Sequence, residues 1–187
     1  MVTSGTLTGP SAPTGFSLAG QFDWDKFSGT YPTGSNNNGY TMSYRVLPNT
    51  TAFNLPPASS IPQWQAWGAL YFRPTRAISS VSVAGLVRAV NYQSQSVTVS
   101  ASGVAGPVIV FGGVGAAPSA GGDVFSLSAS PGFNGSVESQ ATNQSAGYVA
   151  AYRLYGLGST ADNVVVTNTD TNGGGYKGVS GFYLTVR

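Results

Sequence analysis

Apolar and polar residues alternate in short runs along much of this chain. Tyr40, Met42, Tyr44 and Val46 alternate with Thr41, Ser43 and Arg45, a period of two that gives a strand one apolar face. Val97 and Val99 alternate with Ser and Thr, Phe125 and Leu127 with Ser, and over residues 148–155 Tyr148, Ala150, Tyr152 and Leu154 share one face. The run Pro107-Val108-Ile109-Val110-Phe111 is continuously apolar and bounded by Gly and Pro, as a strand buried on both faces is. Residues 66–72 are aromatic and apolar until Pro74 stops them, and residues 81–90 are apolar around Gly85, which predicts two short strands or a bulge. Val164-Val165-Val166 and the terminal Phe182, Leu184 and Val186 complete the set. Asn134-Gly135, Asn172-Gly173 and Gly121-Gly122 supply turns between them. About nine or ten short strands without an amphipathic helix predict an all-β fold, an antiparallel β-sandwich or jelly-roll-like domain.

The first part of the chain breaks this pattern. Eight of the eleven prolines lie in the first 74 residues, and Gly34-Ser35-Asn36-Asn37-Asn38-Gly39 reads as loop. Proline fixes φ and removes a donor, so residues 1–38 are expected to be an extended, irregular N-terminal arm. The sandwich domain is placed at 39–187, with a sub-boundary near Ser79 where the strands become regular. Phe16, Phe22, Trp24, Phe27 and Tyr31 lie in the arm, and a free linker does not need five aromatics. Two readings stay open: the arm folds back on its own core, or it packs on a neighbouring subunit.

Composition narrows the chemistry. Of 187 residues only eight are Lys or Arg and six are Asp or Glu; His and Cys are absent, and no acid occurs between Lys26 and Gly122. A Ser/His/Asp or Cys/His apparatus lacks two of its members, and zinc sites built on His or Cys lack their ligands. The 41% of aliphatic, aromatic and Met residues is enough for a core and argues against a disordered chain. The net charge is only +2, and Lys26, Arg45, Arg73, Arg76 and Arg88 are too spread out for a nucleic-acid stripe. No apolar run reaches the roughly 18 residues of a membrane span, and the N-terminus does not read as a secretory signal. No cofactor is expected.

The remaining candidate sites read more simply as structure. Asp23 and Asp25 flank Trp24, and an extended segment puts both carboxylates on one face about 7 Å apart at Cα. Glycosidase pairs usually converge from distant segments, whereas this pair sits in the arm beside Lys26. Asn168-Thr169-Asp170-Thr171-Asn172-Gly173 matches the opening of a calcium loop, but Val179 stands where the bidentate Glu belongs. Gly112-Gly113-Val114-Gly115 lacks the closing Gly of a dinucleotide loop, and Lys177 follows a Gly-rich stretch unsuited to a desolvated amine. Asn49, Asn134 and Asn143 sit in glycosylation-type triplets read as incidental. Trp64, Trp67, Tyr71 and Phe72 form the densest aromatic cluster, read as core and interface packing or, alternatively, as a sugar-stacking platform beside Gln63 and Gln65.

The Val97-Thr98-Val99-Ser100 strand, the 107–111 strand, Tyr148-Val149-Ala150-Ala151-Tyr152 and the ending Ser180-Gly181-Phe182-Tyr183-Leu184-Thr185-Val186-Arg187 give residues 79–187 a resemblance in style to the small β-sandwich domains of tailed-phage virion proteins. These include capsid decoration or cement proteins, head fibres and tail-fibre modules. The resemblance implies a non-enzymatic structural protein of the virion. Its partners would be the major capsid protein or other virion proteins, and it would form a homo-oligomer, a trimer among the options. Phe22, Trp24, Phe27, Tyr31, Trp64, Trp67, Arg73 and Arg76 are the expected assembly contacts. The alternatives are a glycan-binding fibre or adhesion module and, more remotely, a glycan-acting enzyme working through Asp23 and Asp25.

Overall fold

A computed structural model describes residues 15–23, 39–47, 70–91, 95–116, 125–139, 147–170 and 177–187. Among them all regular structure is β-strand. The chain divides into two compact units, Met1–Gln63 and Trp64–Arg187. In the first, β1 (Ser17–Asp23) pairs antiparallel with β2 (Gly39–Tyr44), with a register shift between Leu18 and Gly20. No proline lies between Pro13 and Pro32, so nothing in β1 removes a ladder donor. The expected arm boundary at 38/39 falls between these two paired strands, and the second unit begins at Trp64, ahead of Ser79.

The second unit is the sandwich. Its strands are β3 (Val81–Asn91), β4 (Gln95–Val99), β5 (Val108–Ala116), β6 (Phe125–Ser130), β7 (Gly135–Ser139), β8 (Gly147–Tyr155), β9 (Val164–Asp170) and β10 (Lys177–Val186). They form a five-stranded sheet ordered β3-β10-β5-β8-β7 and a three-stranded sheet ordered β4-β9-β6, antiparallel throughout. The pairing nests like a ribbon folded at its middle: β3 with β10, β4 with β9, β5 with β8. Wrapping such a ribbon places β10 between β3 and β5, and β9 between β4 and β6, which is jelly-roll order. The innermost pair departs from it. β7 joins β8 in the large sheet, and β6 remains at the edge of the small one.

Alternation along each strand fills the space between the sheets. Val99, Val108, Val110, Val164, Val166 and Val179 are fully buried there, β-branched side chains that suit a pleated surface. The small sheet packs directly onto two glycines of the central strands. A Cβ on Gly181 would stand 2.3 Å from a Val99 methyl and 2.9 Å from the Phe111 carbonyl oxygen; one on Gly112 would meet the Phe133 ring at 2.6 Å and a Val166 methyl at 2.8 Å. The stretch from Gly112 to Gly115 is therefore strand interior, not a phosphate-binding loop. The 107–111 segment is buried on both faces as expected, with Val108 and Val110 facing in and Ile109 buried on the outer side.

Gly85 resolves the ambiguity in residues 81–90. The segment is one strand, and between Ala84 and Val87 it spends three steps where β10 spends two, from Tyr183 to Gly181. Gly85 takes φ +67° in this bulge, against the Tyr183 ring.

Gly181→Ala should lower unfolding free energy by roughly 1–3 kcal/mol in urea denaturation, because neither a backbone oxygen nor a packed Val can yield easily. Gly156→Ala, with open space around its Cβ position, should stay within about 0.5 kcal/mol of the parent. Equal effects at the two positions would contradict the close sheet approach.

Candidate interaction surface

The outer face of the large sheet carries two apolar rows. Phe182, Phe111 and Tyr152 are register partners across β10, β5 and β8, and Val83, Leu184, Ile109 and Leu154 are partners across β3, β10, β5 and β8. Phe111 stacks on Phe182 at 5.1 Å and 18° between ring planes. The next strand, β7, presents Gly135 to Tyr152, and a Cβ there would lie 2.9 Å from the tyrosine ring. Phe182, Leu184 and Ile109 are buried despite facing away from the sandwich interior.

Residues 70–80 form a strap belonging to this face. Phe72 meets Tyr152 edge-on at 4.7 Å and Phe111 at 5.9 Å, geometries that favour ring quadrupoles. At its far end the amides of Ser79 and Ser80 both donate to the Arg187 carbonyl, and the Arg187 amide returns a bond to Ser80. Between these anchors Pro74 prevents regular structure, and Arg73 and Arg76 point to solvent. Tyr71, beside the anchoring Phe72, is 70% exposed; Leu154, two residues along β8 from Tyr152 on the same face, is 49% exposed. Leu157, in the turn after β8, is 65% exposed. Large apolar groups and arginines together are the composition of contact surfaces.

On the opposite face of β8, Arg153 is a structural clamp. Its Nε donates to the Tyr155 hydroxyl at 2.9 Å and one terminal nitrogen to the Gly132 carbonyl at 2.6 Å, and the guanidinium lies 5.1 Å from the Tyr155 ring centroid. Asn134 ties the same connection to β8: its side-chain oxygen accepts from the Leu154 amide, and its own amide donates to the Tyr152 carbonyl. This glycosylation-type triplet thus has a structural use for its asparagine.

Of the expected assembly contacts, Arg73 and Arg76 are described and exposed together on the strap. Phe22 belongs to β1, but its side chain lies outside the described residues, as do Trp24, Phe27, Tyr31, Trp64 and Trp67. Asp23 ends β1, while Asp25 is likewise outside, so the carboxylate pair receives no geometry. Among the described residues no group of three or more His, Cys, Asp or Glu is placed to hold a metal. Asn168, the first ligand position of the calcium-loop reading, belongs to β9 and turns its side chain into the core. The Asn168 side chain is fully buried between the register positions of Gln95 and Leu127, and neither its oxygen nor its nitrogen has a hydrogen-bond partner.

The sequence grouped Tyr71 and Phe72 in one aromatic cluster; the structure separates them into an exposed and a packed residue. Leu154 and Leu157 were missed as surface groups, since nothing local distinguishes an apolar strand residue that is covered from one that is not. Comparison of the chain with family models, with curated proteins and with solved structures finds no match.

Asn168→Leu should leave stability unchanged or raise it by about 1–2 kcal/mol, because it removes an unpaired buried amide at similar volume. A loss of more than about 1 kcal/mol in urea denaturation would mean that the amide is satisfied.

Proposed function

We propose that this chain is a structural protein of a tailed-phage virion, one that decorates or cements the capsid by binding across its subunits. The observation that carries this reading is the strap on the large sheet: it presents Tyr71, Arg73 and Arg76 outward on a jelly-roll-like sandwich that is poor in charge. Jelly rolls serve in viral capsid domains and in lectins, so the architecture alone does not choose between them. The surface supports the first. An exposed tyrosine and two arginines, on the same side of the large sheet as the exposed Leu154, suit a protein partner, with the guanidiniums meeting carboxylates or carbonyls. Burying the segment from Lys26 to Gly122 desolvates no carboxylate.

The partners in this reading are the major capsid protein and further copies of the chain, and the place of action is the virion. Phe22, Trp24, Phe27 and Tyr31 of the first unit, and Trp64 and Trp67 ahead of the strap, remain proposed contacts beside Arg73 and Arg76.

Quantitative mass spectrometry of purified virions should find the chain at a copy number commensurate with the shell. Its absence from particles would overturn the reading. Tyr71→Ala should weaken rebinding to stripped particles about 30-fold, corresponding to roughly 2 kcal/mol for an interface anchor. Arg73→Glu/Arg76→Glu should abolish rebinding, with both variants melting like the parent.

A further inference from the structure

Within the sandwich, and among the described residues, the strand order leaves one sheet edge without protection. Four strands of the sandwich have an outer edge: β3 and β7 in the large sheet, β4 and β6 in the small one. β3 carries Arg88 and the Gly85 bulge, β7 is five residues long and carries Glu138, and β4 is packed against β3, which closes that side. Charges, bulges, shortness and cover are the ordinary means of keeping a strand edge from pairing with another chain. β6, Phe125-Ser126-Leu127-Ser128-Ala129-Ser130, is the exception among the described residues. It has no charge, no proline and no register shift, and among the described residues its backbone pairs with β9 alone. It is also the strand whose jelly-roll partner, β7, has gone to the other sheet.

We infer that β6 is a self-pairing edge that takes β6 of a second copy of this chain, antiparallel, across a two-fold axis at Ser128. The sequence of the strand argues for this occupant. Reading outward from Ser128, Leu127 and Ala129 come next, then Ser126 and Ser130, so the polarity pattern is the same in both directions. Pairing centred on Ser128 sets Ser128 opposite itself, Leu127 opposite Ala129 and Ser126 opposite Ser130. Leu127 and Ala129 face the core of each copy, and the serines face out. A slip by one residue would set serine against leucine and turn one copy inside out. A two-fold places like residues near like, and an uncharged strand has no repulsion to overcome there. The outer face of the small sheet consists of Ser96, Thr98, Ser126, Ser128, Ser130, Val165, Thr167 and Thr169, so the joined face would stay free of charge. Because each copy offers one such edge, the pairing closes at a dimer. It stands independently of the virion reading.

The chain has no cysteine, so single cysteines report the register. In the full-length protein, Ser128→Cys should cross-link to a species of twice the chain mass under oxidised glutathione, since opposed antiparallel residues lie about 4.5–5.5 Å apart at Cα, within disulfide reach. Ser126→Cys should not, because its own copy would lie four residues, roughly 13 Å, along the strand. Thr98→Cys on the β4 edge should stay monomeric on denaturing gels. Sedimentation of the parent across a concentration series should show a monomer–dimer equilibrium, and Ser128→Lys should abolish the dimer while keeping the parent's circular dichroism and melting. A parent that stays monomeric throughout, a Ser128→Cys variant that does not cross-link, or cross-linking at Thr98→Cys instead would each overturn the proposal.

Discussion

The packing of Val99 and Val166 onto Gly181 and Gly112 sets the separation of the two sheets, and much else follows from it. In both central strands the glycine that faces inward is next to a phenylalanine that faces outward: Phe111-Gly112 on β5, Gly181-Phe182 on β10. Thin inner positions bring the small sheet close enough for valines to fill the core. The bulk of these two strands is then on the outer face, where solvent would otherwise meet stacked phenylalanines. An apolar outer face needs cover, and Phe72 of the strap packs edge-on against it. The strap, with the residues it presents, is thus a consequence of how the core is packed.

Scarcity of charge acts on the same molecule in two ways. It lowers the cost of removing surface from water, because few ions must be desolvated when a partner arrives. It also leaves little repulsion between copies, so specificity has to come from shape, aromatic anchors and backbone pairing. The arginines on the strap fit that regime, since a guanidinium is weakly hydrated and offers directed donors. Arg153 illustrates this inside the fold, where it donates to two neutral acceptors, a tyrosine hydroxyl and a carbonyl.

Much of the fold was legible because the strands announce themselves by period. The inward set Val97 and Val99, the doubly buried 107–111 run and the common face of Tyr152 and Leu154 all follow from alternation and flanking Gly or Pro. What was illegible depends on long-range pairing. Nothing in Gly135-Ser136-Val137-Glu138-Ser139 reveals that it joins the large sheet, since either sheet would accept its alternation. β1 was hidden by prolines that flank it but do not enter it. Asn168 looked like a turn residue because Asn and Asp cluster with Gly nearby, yet its position in the β9 alternation turns it into the core. For the candidate surface, residue types marked Tyr71, Arg73 and Arg76 as contact formers, but their exposure depends on Phe72 being drawn down instead.

The two outer faces of the sandwich therefore differ in kind. One is aromatic and carries its own strap, so what it offers outward is a small set of long side chains on an irregular segment. The other is a flat array of hydroxyls around Val165, in which Ser96 and Thr167 bond each other across strands at 2.7 Å. Hydroxyls that satisfy one another cost little to leave in water and provide no anchor for a protein partner. In the two proposals above, recognition through side chains accordingly belongs to the large sheet and backbone pairing to the β6 edge of the small one. Because these elements lie on different sheets, occupation of one leaves the other free. Taken together, the two proposals give a single domain that binds a foreign surface and a copy of itself at once, and that combination lets small proteins bridge a larger assembly.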